Sequence, residues 1–404
     1  MSATNARPPR HYRPVEQRPI PQDEPPGAAG HTSLRPYWLA WGATVVFFAG
    51  FYSLLTPLPR YLQAVGLADW QIGLVLGAFG VAALLGRPLA GVAADRWGAR
   101  RVMLAGAAAL FVGALGVGYT ANVFLLFGLR LLQATGYAAF TTSGTALVVA
   151  LTHPAERSRR LSIFGAAANV AMTLAPAAIS ALLAIMPLEM SFWIVAGLAL
   201  TAGVMASRVR YAHTVASRQI VWHDLWRFPR VLWLPMFVTG LFALGFGAFL
   251  QFSPILADRR GGLPSGTLYT TYGIGIIMTR LVSAHWLDRA GAGRALAMAA
   301  TLLGGGLALA AFAQSLAWLA AAALLIAAGS GLFHPTLLAH HAYVLPGAPG
   351  RSSAAFYVGF DLGLGLGSWI LGVVLQMTGV TGLFLCAAFL VATAPAFLRA
   401  LLRE

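Results

Sequence analysis

Residues 91–101 read GVAADRWGARR and form a short charged segment between two long apolar stretches. Asp95 and Arg96 end the first stretch, and Arg100 and Arg101 begin the second. Gly98 lies between them and can adopt the backbone conformations that a tight turn requires. The segment therefore predicts two apolar helices joined by a short basic turn.

A weaker copy of this segment, DRAGAGR, occupies residues 288–294, so that Asp288 follows Asp95 by 193 residues. Seven residues separate Arg87 from Asp95, and seven separate Arg280 from Asp288. The same offset places Gly136 and Phe140 on Gly329 and Phe333. A fixed offset of this kind indicates an internal repeat, so we predict two similar halves.

The composition places both halves in a membrane. Hydrophobic residues make up 58% of the 404 residues, charged residues make up 10%, and the mean hydropathy is +0.74. Soluble domains carry about 25% charged residues. A spanning helix needs about 20 mainly apolar residues. Twelve such stretches follow position 37, at 38–62, 69–94, 99–119, 121–147, 159–184, 190–208, 231–258, 265–288, 293–313, 315–341, 351–377 and 379–400.

The predicted fold is an all-α polytopic membrane protein with twelve transmembrane helices in a pseudo-symmetric 6+6 arrangement. Residues 1–36 are rich in Pro and Arg and are predicted to be a disordered cytoplasmic tail. Six-helix bundles are expected at 37–208 and at 231–404, the second ending in a short cytoplasmic tail. A basic cytoplasmic loop at 209–230 joins them.

The arginines predict the orientation. The 27 basic residues are all Arg, and 21 of them fall in the tails and loops on one side of the predicted spans. Cytoplasmic loops retain such positive charge, so both termini should be cytoplasmic in a multi-pass protein of a bacterial cytoplasmic (inner) membrane. The arginines do not gather in one soluble patch, so no nucleic-acid partner is expected.

The charged segment at 91–101 resembles the cytoplasmic loop signature of the major facilitator superfamily, and 288–294 lies where that family has a second copy. RLLQATG at residues 130–136 resembles a further motif of the family, Arg-x-x-Gln-Gly-x-Gly, with Ala134 replacing one Gly. The resemblance implies the fold of this family and a secondary transporter similar to its bacterial drug and sugar efflux members. In the predicted fifth span, AMTLAP at 171–176 keeps the Pro of an antiporter motif but has Ala at the Gly positions.

Asp361 is the acidic residue that falls in the middle of a predicted span. A charged side chain there costs roughly 2.5–3.5 kcal/mol on insertion scales and normally faces the protein interior for a functional reason. Gly359, Gly363 and Gly367 form a small-residue stripe suited to helix packing, and Asp361 lies on the opposite face with Tyr357 and Gly365. We therefore expect Asp361 to load and release protons; a structural hydrogen bond to a neighbouring helix is the alternative.

Two further residues are candidates for proton coupling. The resemblance implies this role for Arg130, which could act on a nearby carboxylate or pair with an anionic substrate because Arg stays protonated. His334, beside Pro335, is a candidate proton relay. Arg87 and Arg280 are expected to snorkel or to pair with a neighbouring helix.

Two larger sets complete the predicted site. The loop motif is expected to gate the two halves through a carboxylate that accepts bonds from a helix start and pairs with arginine. Its residues are Gly91, Asp95, Arg96, Gly98, Arg100, Arg101, Asp288 and Arg289. Polar and aromatic side chains are expected to line the substrate cavity, namely Tyr52, Gln133, Tyr137, Asn169, Gln251, Phe252, Tyr272 and Tyr357.

We expect a secondary active transporter that moves a small organic molecule by alternating access, working as a proton-coupled exporter (antiporter). An uptake symporter or facilitator for a sugar, organic anion or other nutrient is the alternative. An enzyme or sensor is disfavoured because there is no HExxH motif or cluster of acids within the spans, and no segment long enough for an added soluble domain. The expected partners are the substrate, protons and the lipid bilayer, with no cofactor or metal, and the chain is expected to act as a monomer.

Overall fold

A computed structural model describes residues 34–153, 156–211, 228–345 and 349–401. Almost all of the predicted N-terminal tail and most of the predicted central loop lie outside these residues. The described part of the chain is helical and contains no strand. It forms α1 (Arg35–Ser53), α2 (Pro57–Ala64), α3 (Asp69–Trp97), α4 (Ala99–Val117), α5 (Val123–Leu151), α6 (Arg157–Leu182), α7 (Met190–Ser207), α8 (Trp233–Arg259), α9 (Ser265–Phe312), α10 (Leu316–Val344) and α11 (Pro349–Leu401).

Ten segments of the described chain are long and apolar enough to cross a membrane. α1 and α2 form one of them, Arg35–Ala64, with α2 starting at Pro57 because proline is favoured in the first turn of a helix. α9 and α11 each contain one glycine with positive φ, Gly291 (75°) and Gly379 (71°), so each consists of two helices that meet at that glycine. The chain is therefore a multi-pass helical membrane protein.

The turn predicted at Gly98 is confirmed. Gly98 has a φ of 92° between α3 and α4, and its N–H donates to the Ala94 carbonyl at 2.9 Å. Gly291, 193 residues later, adopts the same left-handed region between the two parts of α9. L-amino acids with a side chain rarely adopt this conformation, which explains glycine at both positions.

Close packing between helices also follows the repeat. A Cβ at Gly136 would lie 2.6 Å from the Gly106 carbonyl oxygen, so α4 and α5 meet backbone to backbone. A Cβ at Gly329 would lie 2.6 Å from the Leu303 nitrogen, so α10 meets the second part of α9 in the same way. Small residues allow such contact between membrane helices.

Replacing Gly136 by Val should lower the thermal unfolding temperature of the purified protein by roughly 2–5 °C, because the branched side chain forces α4 and α5 apart. Gly128→Val is the matched control, since a Cβ at Gly128 in the same helix meets open space. Intrinsic-fluorescence melting in detergent measures both variants. Equal melting temperatures would show that the α4–α5 contact does not limit stability.

The helices give the bundle two ends. α3 starts at Asp69 and reaches Asp95 in its last turn, 26 residues later. We name the ends after these residues, the Asp69 end and the Asp95 end. The first half of the chain means residues 35–211 below, and the second half means residues 228–401.

Candidate functional site

The central feature is an ion pair between the two halves of the chain. Arg87 of α3 donates from Nε to Asp361 Oδ2 of α11 at 2.8 Å. The Asp361 side chain is 1% exposed and that of Arg87 is 26% exposed. A carboxylate that is buried without a partner loses its hydration, at a cost on the order of several kcal/mol. Asp361 therefore needs a partner such as Arg87.

Packing of α11 fixes the direction of Asp361. Gly363 packs on the backbone of Gly240 in α8, and Gly359 and Gly367 pack on the same helix. The opposite face of α11 meets α3, where a Cβ at Gly80 would collide with the main chain at Asp361. The predicted packing face of α11 is therefore confirmed, and the Asp361 face packs just as closely, against α3. One face packs within the second half, and the other crosses to the first.

Aromatic rings surround the Arg87 guanidinium. Its Cζ lies 5.1 Å from the centre of the Tyr357 ring and 5.9 Å from that of Tyr137. Tyr137 is in turn 4.4 Å from the Phe51 ring, and Tyr52 stacks on Phe48. Cation–π contacts of this kind stabilise a cation away from water. The predicted cavity residues Tyr52, Tyr137 and Tyr357 therefore lie around the ion pair.

Arg130 and Gln133 lie inside the first half, separate from that pair. Arg130 Nη1 donates to Gln133 Oε1 at 3.1 Å, and Gln133 Nε2 donates to the Gly113 carbonyl at 2.9 Å. The guanidinium also lies over the rings of Phe51 and Phe79. Arg130 is 4% exposed. The arginine that contacts Asp361 is thus Arg87, while Arg130 is bonded to its own helix.

His334 lies on the other side of Tyr357, in α10. Its ring meets that of Phe356 edge to face at 4.8 Å and lies 6.4 Å from the Tyr357 ring. The Arg280 guanidinium of α9 is close enough to act electrostatically on His334 and on Tyr272. Tyr357 therefore neighbours both Arg87 and His334.

The remaining predicted cavity residues lie deeper in the bundle. Gln251 is 3% exposed and donates to Ser368 Oγ at 2.8 Å. Phe252 is completely buried, and Tyr272 is 2% exposed and packs on Phe249. Asn169 is half-buried in α6. The structure does not bring Gln251 or Phe252 to an open surface.

Two further ion pairs join the halves at the Asp69 end. Arg60 holds Asp258 with two bonds, Nε to Oδ2 at 2.8 Å and Nη2 to Oδ1 at 2.6 Å. Arg259 Nη2 donates to Asp69 Oδ1 at 2.6 Å. We call these two pairs the Asp69-end latch. The Asp69 N–H also donates to Gln376 Oε1 at 3.0 Å, a third link between the halves.

At the Asp95 end, the described side chains of the loop motif form no ion pair with the second half. Asp95 and Arg96 are exposed, Arg101 is exposed, and Arg100 is half-buried. A Cβ at Gly91 would meet open space, beside an apolar groove of about 310 Å³ lined by α3 and α5. The side chains of Asp288 and Arg289 lie outside the description. The ion pairs of the Asp69-end latch therefore join the halves at that end.

Sequence reasoning named no partners for either set of charge pairs. Arg87 was expected to snorkel or pair, without a named partner, because its partner lies 274 positions away. The residues of the Asp69-end latch were used only to orient the spans. The sequence did contain a usable signal. Asp258 and Arg259 are adjacent and carry opposite charges. Arg60 and Asp69, at the ends of neighbouring spans, also carry opposite charges.

Comparison with known proteins identifies the family of this chain. The family model described as Major Facilitator Superfamily matches residues 40–264, more than half of the chain. The "Uncharacterized MFS-type transporter YhhS" of Escherichia coli strain K12 is 27% identical over 371 residues, which cover 86% of this chain and 88% of that protein. "Multidrug resistance protein 2" of Bacillus subtilis strain 168 is 25% identical over 159 residues, which cover 39% and 40% of the two chains.

A solved structure has the same fold. The crystal structure of nucleoside transporter NupG (D323A mutant) aligns with a TM-score of 0.78 at 16% identity, covering 91% of this chain and 99% of that one. At this identity the likeness concerns the fold alone.

Proposed function

The chain belongs to the Major Facilitator Superfamily of transporters, and from that premise we propose that it exports a small organic molecule across a bacterial cytoplasmic membrane in exchange for protons. The observation that carries the proposal is the buried Arg87–Asp361 pair between the halves. An ionisable pair inside a membrane protein is costly and marks a pathway for ions, protons or substrate. The name of the Bacillus subtilis relative supports the outward direction.

The proposed architecture has twelve spans in two six-helix halves. Dividing α9 at Gly291 and α11 at Gly379 gives twelve membrane-crossing segments when α1 and α2 count as one. The arginine-rich Asp95 end is cytoplasmic in this proposal, as are both termini. The Asp69 end then faces outward, and the chain acts as a monomer.

In this proposal the two ends of the bundle open in turn, which gives alternating access. The Asp69-end latch closes the outer side while the Asp95 end is open to the cytoplasm. In the opposite state the latch breaks, the loop motif engages the second half, and the apolar groove between α3 and α5 is covered. Transporters of this kind rock two halves around a fixed central site.

Asp361 is the proton carrier of the proposed cycle. Protonation removes its charge, so the ion pair with Arg87 becomes a weaker hydrogen bond from the still-charged guanidinium, which loosens Arg87 and changes the stability of the two states. Arg130 supports this step as a fixed positive charge in the first half, and His334 relays the proton toward the Asp95 end. Tyr52, Tyr137, Asn169, Tyr272 and Tyr357 contact the substrate.

The proposal is tested by flux in proteoliposomes with an imposed proton gradient and a panel of labelled organic molecules. Net movement of one substrate against its gradient, in the direction opposite to the protons, is the expected result. Movement with the protons would replace the exporter with a symporter. Flux that ignores the proton gradient would leave a facilitator and remove the role of Asp361.

A further inference from the structure

Arg280 of α9 lies on the face of its helix that meets the first half of the chain. Gly273 packs on Thr173 of α6, and Gly266, one heptad earlier, packs on the same helix near Ser180. Seven residues make nearly two helical turns, so Arg280 continues this face toward the Asp95 end. There its side chain is exposed. Arg280 therefore continues the α6-facing side of α9 as an exposed cation.

The repeat relates the position of Arg280 to the Arg87–Asp361 pair. Gly73, Gly80 and Arg87 of α3 lie 193 residues before Gly266, Gly273 and Arg280. Gly73 and Gly80 pack on α11, as their counterparts pack on α6. The two arginines therefore occupy equivalent places on two equivalent helix contacts.

The partners of the two arginines differ. Arg87 meets Asp361. On α6 the glycine contacts lie one residue later than the 193-residue offset gives, so the residue in the place of Asp361 is Asn169. Within the described side chains, Arg280 forms no ion pair. The carboxylate that holds Arg87 is thus replaced, at the equivalent contact of Arg280, by a neutral amide.

The charges near Arg280 favour a negative ligand. The Arg87 and Asp361 charges cancel, and Arg130 and Arg280 leave the described spans with excess positive charge. The Arg280 charge acts over distance on the side chains of His334 and Tyr272. The rings of Phe356 and Phe360 pack around His334. One cation therefore lies within electrostatic range of an aromatic cluster.

We propose that the transported molecule is an organic acid with an apolar body, whose carboxylate binds Arg280 in the place that Asp361 takes at Arg87. This inference rests on the proposed function and names the substrate class of the same cavity. Arginine binds a carboxylate through two parallel bonds, which fixes the orientation of the ligand. Export also suits an anion, because an inside-negative membrane potential favours the outward movement of negative charge.

The test is equilibrium binding to the purified full chain in detergent, with 1-naphthoate as the probe and 1-naphthamide and 1-naphthylmethylammonium as neutral and cationic analogues. We expect the carboxylate to bind at least about 10-fold more tightly than either analogue. Arg280→Gln should weaken naphthoate binding about 10- to 100-fold and leave the amide unchanged. Equal affinity for naphthoate and naphthamide, or preference for the cation, overturns the proposal.

Two variants separate the role of Arg280 from folding and from net charge. Arg210→Gln removes an exposed arginine beyond the end of α7 and should leave naphthoate binding unchanged. Asn169→Asp keeps Arg280 but supplies the missing carboxylate, so it should reduce naphthoate binding as Arg280→Gln does. Unchanged binding in folded Asn169→Asp counts against the site, as does an equal loss in Arg210→Gln.

The binding experiment and the flux experiment test the two proposals separately. Arg280-dependent naphthoate binding without proton-driven flux would sustain the anion site and sink the proposed exporter. Proton-driven flux of a neutral or cationic molecule, with no selectivity for naphthoate, would sustain the exporter and sink the anion site.

Discussion

Asp361→Asn is expected to reduce proton-driven flux in reconstituted vesicles to that of protein-free vesicles. Asn has the shape of Asp but cannot exchange a proton, so the variant cannot use the gradient. Exchange of labelled for unlabelled substrate at equal concentrations should persist, because the two halves can still rock around bound substrate. The measurement is flux with and without an imposed proton gradient in the same vesicles. Full proton-driven flux in this variant would contradict the assignment of Asp361.

A folding defect is separated from lost coupling by two further variants. Asp361→Asn leaves Arg87 without its partner, and breaking a buried pair destabilises a protein by about 3–5 kcal/mol. Arg87→Gln combined with Asp361→Asn removes both charges and should fold while remaining uncoupled. Asp361→Glu keeps a titratable group and should retain part of the proton-driven flux. If the double variant is fully coupled, the pair is structural only.

Removing the Asp69-end latch should open the outer side of the transporter. Asp69→Asn combined with Asp258→Asn cuts both pairs, each of which is partly exposed. Partly exposed pairs contribute up to about 1 kcal/mol each, so their joint loss of roughly 1–2 kcal/mol should shift the ratio of closed to open molecules about 5- to 30-fold. Transport should slow because the outward-closed state is less populated.

The opening is measured as a distance between spin labels on the two halves. Ala64 and Thr267 are exposed positions at the Asp69 end, and the single Cys386 is first replaced by Ala. The double variant should show a longer-distance population that the parent lacks. An unchanged distance distribution would show that helix packing alone keeps this end closed.

A control must show that the position of the removed charges matters, and not only their number. Arg260→Gln removes an arginine from the same end, but Arg260 bonds to the Ala311 carbonyl and Thr381 within the second half. It should leave the label distances unchanged. Exchanging the partners, Arg60→Asp with Asp258→Arg, should restore the closed distance that either single change loses.

The repeat and the helix faces could be predicted from the sequence. The 193-residue offset identified Gly98 and Gly291 as equivalent turns, and both have positive φ. The spacing around Asp361 identified the face of α11 on which it lies, because the position of a residue along a helix sets the direction of its side chain. Phe140 and Phe333, also related by the offset, each stack on the first helix of their own half, at Phe47 and Phe242.

Partners between helices could not be predicted in the same way. The side on which a helix meets its neighbour depends on crossing angle and rotation, which spacing within one helix does not contain. Arg130 and Arg87 were both arginines of interior spans, and only their depth and rotation decide that Arg87 reaches Asp361 while Arg130 bonds to Gln133. The same limit applies to the Asp69-end latch.

The charges of the Asp69-end latch determine how membrane voltage acts on the opening of this end. The first half contributes one positive charge, on Arg60, and one negative charge, on Asp69, and the second half contributes the opposite signs on Asp258 and Arg259. When the halves part, each carries equal positive and negative charge through the field, so the electrical work cancels where a single charge would require about 2.3 kcal/mol per 100 mV. Opening of this end is therefore expected to be electrically silent, and in the proposed cycle voltage acts through the cargo, which is the proton and the exported anion.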